Sequence, residues 1–235
     1  MFLKVMTFNI QHCKNYRTGK IDFDIFADAI KSVNADIIGL NEVRGKGENP
    51  DFEAQAKILA EMTGLNYFFA PAINVKNGGP YGNAILSKYP VKKAEIIIIP
   101  DPAEKKYNDS YETRCVLKAV IDVGCDVTVL VTHFGLNPDE EENASETVLK
   151  NVTDEKCVLM GDFNVLPDSV YLNPIRERMT DTADNLGYTL YSFPSDKPDV
   201  KIDYIFTSKE IQTISAEIPA MVVSDHRPYI AVLEI

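Results

Sequence analysis

Acids and histidines recur at the ends of apolar runs in this chain. Glu42 closes the run from Asp36 to Leu40, and His133 closes Val127 to Thr132. Asp162 follows Val158-Leu159-Met160-Gly161, Asp203 opens Tyr204-Ile205-Phe206, and Asp225-His226 precedes the last apolar run. A carboxylate beside a buried strand is poorly solvated unless it meets a cation, a donor or water. Several converging at one sheet edge would make a hard-cation site, with oxygen ligands suited to magnesium. The same groups can activate water. Taken singly, each has a plainer reading. A glutamate after a strand is more often a solvated loop residue. His133 alone reads as a satisfied core histidine, and Asp162 alone as a cap for the turn into Asn164. Asp203 could simply pair with Lys201 or Arg227. Their joint placement favours chemistry.

The elements that must carry these groups can be read from periodicity. Residues 2–10 and 35–40 read as strands, and 21–33 and 51–62 as helices, so the first part of the chain alternates. Residues 66–70, 82–88, 91–99, 112–121 and 126–133 then read as strands, separated by turn signals such as Asn77-Gly78-Gly79-Pro80. Their short connections imply antiparallel neighbours. Helical patterns follow at 138–150 and 170–179, and strands at 157–160, 202–207, 211–218 and 228–235. No linker rich in Pro, Gly or Ser divides the chain, and no tandem repeat occurs. The expectation is α/β, one domain over 1–235, with two sheets packed face to face and helices outside.

Composition bounds the partners. The 235 residues are 45% hydrophobic and 25% charged, with a formal net charge of −11. Such a chain does not draw nucleic acid by its global field. Cys13, Cys115, Cys125 and Cys157 are scattered, which excludes close zinc-ligand pairs and reads as reduced thiols. The opening apolar segment is too short for a signal peptide, and no run is long enough to span a bilayer. A cytoplasmic location, no membrane insertion and no protein partner are expected.

Several short motifs occur in order: Thr7-Phe8-Asn9-Ile10, Leu40-Asn41-Glu42-Val43, Gly82-Asn83-Ala84-Ile85-Leu86-Ser87, Thr132-His133-Phe134, Gly161-Asp162-Phe163-Asn164, Ile202-Asp203-Tyr204-Ile205 and Ser224-Asp225-His226-Arg227-Pro228. Together they resemble the endonuclease/exonuclease/phosphatase superfamily, which includes pancreatic deoxyribonuclease, AP endonucleases, inositol polyphosphate phosphatases and bacterial sphingomyelinases. The resemblance runs from residue 5 to residue 233. It implies a four-layer α/β sandwich, two packed mixed β-sheets flanked by helices, and a magnesium-dependent hydrolase of phosphoester bonds, with manganese able to substitute.

The resemblance also implies roles. Glu42 would be the principal metal ligand, with Asn9 and Asp225 beside the ion. Asp162 would orient or deprotonate the attacking water, with Asn164 holding it or a phosphate oxygen. His226 would donate to the phosphate, oriented by Asp203, while His133 faces the phosphate from the other side. Arg114 matches a family arginine that contacts phosphate or braces the site. Its plainer reading is a strand-edge pair with Glu112 or Asp109. Tyr81 and Asn83 share one strand face and would point to the substrate or simply pack.

Departures from the family bear on substrate. AP endonucleases carry tyrosine where this chain has His133, and an aspartate where it has Gln11. AP-site cleavage is therefore disfavoured. The acid that orients the matching histidine in pancreatic deoxyribonuclease has no clear counterpart here, with Tyr81 or Gly82 near its place. Lys14, Arg17, Lys20, Arg44 and Lys46 could meet an anion from loops near Asn9 and Glu42, although each also reads as a solvated loop residue. Asp139, Glu140, Glu141 and Glu142 beside His133 would repel a long phosphate backbone. The chain has no Trp for single-strand stacking. A small or exposed phosphoester is favoured. A nuclease acting on DNA or RNA is the alternative, and a non-catalytic binding module on the same fold is the reading from another class.

Overall fold

The structure, a computed structural model, describes residues 1–184, 186 and 189–235. Its strands are β1 (Phe2–Asn9), β2 (Ile37–Arg44), β3 (Asn66–Asn74), β4 (Pro80–Ser87), β5 (Val91–Ile98), β6 (Cys115–Asp122), β7 (Asp126–His133), β8 (Cys157–Asp162), β9 (Met179–Asp181), β10 (Asp203–Ser208), β11 (Gln212–Glu217) and β12 (Tyr229–Glu234). Its α-helices are α1 (Phe23–Val33), α2 (Gln55–Thr63), α3 (Pro138–Leu149) and α4 (Asn173–Arg178). One six-stranded sheet has the order β11-β12-β1-β2-β4-β3, and a second has β5-β6-β7-β8-β10-β9.

The expected α/β sandwich is borne out, and the side-chain alternation explains it. On β1, Leu3 and Val5 enter the core between the sheets, while Met6 and Phe8 face α1 and α2. On β8, Val158 and Met160 face inward, while Cys157 and Leu159 face α3 and α4. A strand covered on both faces can be apolar throughout, so these strands read as continuous runs. All four cysteines are free, and Cys13, Cys115 and Cys157 are buried. Among the described residues, no helix is long and apolar enough to cross a membrane.

Pairing direction decides where the functional groups gather. β1 lies parallel to β2, and β7 lies parallel to β8. β12 runs antiparallel to β1, and β10 antiparallel to β8. Chain ends of the first four and chain starts of the last two therefore meet at one edge. His133 stands in register with Asp162, and Asp162 with Asp203. The approach there is tight: a Cβ on Gly161 would lie 1.8 Å from the Thr132 carbonyl oxygen. A Cβ on Gly39 would lie 2.7 Å from Met160 Sδ across the sheet interface.

Some boundaries differ from the sequence reading, for local reasons. Helix α2 starts at Gln55 because residues 47 and 48 bond to the Phe52 and Gly78 carbonyls instead. Residues 112–114 leave the sheet, and β6 starts at Cys115. The expected helix 170–179 is a 3-10 turn followed by α4, and Met179–Asp181 pairs with β10. Strand β2 does not stop at Leu40 but continues through Asn41 and Glu42 to Arg44.

The acidic start of α3 is structural in part. Glu140 is buried, and its side chain closes a capping box with Asn137 while accepting from the Glu112 amide. Burial, with Glu140 adding, pushes the neighbouring Glu141 carboxyl from its ordinary 4.5 up to about 7. Between those values the folded chain keeps a proton that the unfolded chain has released. Stability therefore falls as pH rises through this window. Glu141→Gln should raise the urea midpoint at about pH 8 and change it far less near about pH 4, where both states are largely protonated. Equal shifts at both values would contradict this account.

Candidate functional site

The Glu42 side chain is aimed by a bulge. Leu40 pairs with Ala84 and Val43 with Gly82, so Asn41 and Glu42 together oppose Asn83 alone. Glu42 takes a φ of +59°, a region that non-glycine residues rarely adopt. Gln11, His12 and Cys13, just beyond β1, hold φ of +41°, +46° and +59°, and Asn164 holds +52°. Strained backbone of this kind persists only where surrounding structure over-determines it, and it gathers at functional sites.

At the centre lies Asp162, only 1% exposed. Its Oδ2 accepts from Asn9 Nδ2 at 3.0 Å and faces His226 Nε2 at 3.5 Å and His133 Nε2 at 3.6 Å. Its Oδ1 accepts from the Asn164 amide at 3.0 Å. Burial pushes this carboxyl up; His226 opposes that and Asp203 reinforces it. A carboxylate raised in this way is a better base near neutrality. Asn9 Nδ2 also donates to Glu42 Oε1 at 3.0 Å, so one amide links two carboxylates from opposite sheets.

The two histidines have opposite surroundings. His226 Nδ1 lies 2.8 Å from Asp203 Oδ2, which also accepts from Ser192 Oγ at 2.5 Å. Burial disfavours the charged His226 ring, but Asp203 and then Asp162 outweigh it and hold its pKa above the ordinary range. The ring also packs on Phe193, with centroids 4.9 Å apart. At His133, burial, then Arg114, then His226 hold the pKa well below the ordinary range. Arg114 Nη1 lies 3.3 Å from His133 Nδ1 and also donates to Glu112.

The remaining expected residues separate. Asp225 joins the site through Gln11, whose Nε2 donates to Asp225 Oδ2 at 2.7 Å. Asn164 spends its side-chain nitrogen on the Phe134 carbonyl at 3.1 Å. The Tyr81 hydroxyl donates to Glu42, and burial followed by that carboxylate pushes its pKa up. Asn83 lies beneath the site rather than on its surface. Its amide is taken up by Asn41 at 2.8 Å and the Cys115 carbonyl at 2.9 Å, the packing alternative that alternation allows. Asp203 pairs with His226, while Lys201 is buried on Asp181.

Sequence reasoning missed three supports. Asn41, beside Glu42 in its motif, donates to the Thr132 carbonyl and accepts from the Asp162 amide, at 2.8 and 2.9 Å. Ser192 braces Asp203, and the Ser195 amide donates to the Asp225 carbonyl at 2.7 Å. These two serines lie in a loop with no motif of its own.

Oxygen donors dominate the side of the site around Glu42 and Asp225. Among the described residues, no lysine or arginine forms an ion pair with Glu42, Asp162, Asp203 or Asp225. The basic group paired with Glu42 is His12, at 3.9 Å, and burial lowers that ring to about 4, leaving it neutral. Glu42 and Asp225, without a cationic partner among the described residues, fit a hard divalent cation. Asp162, Asp203 and His226 also lie within 4.8 Å of one another. Asp162 and Asp203 already face the His226 ring, whereas Glu42 and Asp225 accept from the neutral donors Asn9, Tyr81, Gln11 and Ser224, which makes them the better ligands.

Rim charges are partly committed. Arg44 stacks over Phe52 at 4.5 Å and donates to the Asp51 carbonyl, and Lys46 pairs with Glu53. Arg17 and Lys20 are exposed.

The model of the Endonuclease/Exonuclease/phosphatase family matches residues 6–226. No curated protein matches the chain. Among solved structures, it is similar to the endonuclease/exonuclease/phosphatase from Bacteroides vulgatus, with a TM-score of 0.79 and 22% identity over 100% of this chain and 99% of that one. It is similar to the Bacteroides thetaiotaomicron mannosyl-6-phosphatase, with a TM-score of 0.79 and 16% identity over 99% of this chain and 100% of that one. It is similar to the human Nocturnin catalytic domain, with a TM-score of 0.74 and 17% identity over 99% of this chain and 93% of that one. At these identities the structures share a fold.

Asn41→Ala should strand the Asp162 amide, the Thr132 carbonyl and the Asn83 carbonyl oxygen in a dry interior. A loss of about 3 kcal/mol in chemical denaturation is expected. A loss under about 0.5 kcal/mol would mean that water replaces the amide.

Proposed function

The chain belongs to the endonuclease/exonuclease/phosphatase family of phosphoester hydrolases, and we propose that it is a magnesium-dependent enzyme acting on a small or exposed phosphoester. The observation that carries this reading is the Asp162 Oδ2 environment. One buried carboxylate oxygen is faced by Asn9 at 3.0 Å, His226 at 3.5 Å and His133 at 3.6 Å, with Glu42 one amide away. That is the arrangement an anionic ester needs: a base, donors for the non-bridging oxygens, and an adjacent oxygen-rich cation site.

Glu42 would hold the ion, with Asp225 and Asn9 beside it; manganese would substitute. A bound divalent ion supplies charge neutralisation on the phosphate and lowers the pKa of water. Asp162 then takes the proton of the attacking water, oriented by the Asn9 amide and by Asn164. His226, held from behind by Asp203, donates from Nε2 to a phosphate oxygen. His133 donates to the phosphate from the other side. Tyr81, bonded to Glu42, orients that carboxylate.

Support for a small ester comes from the rim. Arg44 and Lys46 are committed to neighbours within the chain, and the net charge is −11. A long polyanion would find little continuous basic surface. A cytoplasmic location remains part of this reading.

Purified protein should hydrolyse bis-p-nitrophenyl phosphate or a member of a sugar-, lipid- and nucleotide-phosphate panel with magnesium or manganese. Chelation should abolish turnover, and Glu42→Ala or Asp162→Ala should each lower kcat by about 100-fold or more. Variants indistinguishable from wild type on every ester would overturn the proposal. Cleavage of supercoiled DNA at comparable rates, falling steeply with salt, would instead identify a nuclease.

A further inference from the structure

We propose that Arg114 is a positioning residue acting through His133: its guanidinium holds the ring in the Nε2–H tautomer, so that His133 serves the reaction only as a hydrogen-bond donor. This rests on the proposed phosphoester chemistry and adds a division of labour between the two histidines.

The geometry is a donor facing a ring nitrogen. Arg114 Nη1 lies 3.3 Å from His133 Nδ1. A guanidinium has five donors, no acceptor, and keeps its charge in proteins. Nδ1 must therefore accept, which leaves the proton of the neutral ring on Nε2. Adding a second proton at Nδ1 would set N–H against N–H and cation against cation. It would do so at a residue only 4% exposed. Among the described residues, four charged or titratable groups surround this ring. Arg114 and its partner Glu112 come from the segment leading into β6. Asp162 comes from the end of β8, and His226 precedes β12. The acids here are Glu112, which is bonded to Arg114, and Asp162, whose Oδ2 stands 3.6 Å from Nε2, beyond hydrogen-bond length.

His226 has the reverse arrangement. Its Nδ1 faces the Asp203 carboxylate at 2.8 Å, an acceptor, so that nitrogen carries hydrogen. Both rings turn Nε2 toward the same Asp162 oxygen. A carboxylate stands behind one and a guanidinium behind the other. His133 therefore takes no part in proton transfer; it places one fixed N–H toward the phosphate. Arg114 itself is poorly placed to reach substrate. Its side chain is 15% exposed, and Nη1 is shared between Glu112 and His133.

The chain has three histidines, so a sample labelled with nitrogen-15 at histidine is readily assigned, with His133→Asn identifying the signals. Long-range proton–nitrogen spectra should show His133 as a neutral Nε2–H ring, unchanged from about pH 5 to about pH 9, well either side of the ordinary histidine pKa. An Nδ1–H ring, or titration within that range, would overturn the proposal. These spectra need no substrate, so they fail or succeed independently of the assigned reaction. Arg114→Gln offers Nδ1 an acceptor as well as a donor. It should yield mixed tautomers, a kcat lowered by about 10- to 100-fold with KM little changed, and a new acidic limb in the rate profile. Arg114→Lys, which also only donates, should restore the single tautomer. Arg114→Gln added to His133→Asn should cost little beyond His133→Asn alone. Additive losses, as from a guanidinium that touches phosphate itself, would overturn the positioning role.

Discussion

A carboxylate buried where two sheets meet constrains everything near it. Asp162 is 1% exposed, and an ionised group there survives only if donors surround it. Those donors come from both sheets. Asn9 reaches across from β1 and the Asn164 amide donates from beyond β8, while Asn41 on β2 accepts from the Asp162 amide and donates to the Thr132 carbonyl on β7. His226 approaches from the loop before β12. The hydrogen bonds that bind the two sheets at this edge are therefore the same bonds that fix the Asp162 carboxylate. The small Gly161 and Gly39 allow the close approach.

The same edge explains how an acidic protein can present a site for an anion. The net charge is −11, yet the cationic groups near Asp162 are local, with His226 buried and Arg114 half-buried. Asp203 favours the charged form of His226, and the Arg114 guanidinium stands behind His133. Opposite partners behind two otherwise similar rings give them different protonation tendencies. On the far side, Glu42 and Asp225 have no lysine or arginine ion pair among the described residues. A divalent cation there would complete the balance for a phosphate.

Legibility in the sequence varied with how local the cause was. Glu42, Asp162 and His226 stand beside apolar runs in short motifs, and the structure brings them to one place. The helix read over 21–33 is close to α1 because its cap Asp22 and its stop Asn34 are local signals. The acids after His133 carry structural roles that their sequence does not show. They read as a repulsive run, yet Glu140 is buried as a cap, and Asp139 accepts from the Tyr111 hydroxyl. Asn83 shared a face with Tyr81 by alternation, but only the partner strand shows that its amide bonds inward to Asn41. Ser192 had no signal, because its role is to a residue eleven positions away across a loop.

By itself, the sequence determined the run of strands and helices, the two-sided apolar strands and the acids and histidines at strand ends, since each follows from composition and short-range periodicity; the amides and the four-layer order came with the motifs that resemble the family. The tertiary structure decided which of them touch. The bulge that turns Glu42 inward depends on its pairing with β4. The link from Asn9 to Asp162 spans 153 positions. The partner that faces each imidazole is likewise fixed by register between strands. Protonation state depends on distance and burial, and neither quantity exists until the sheets have packed.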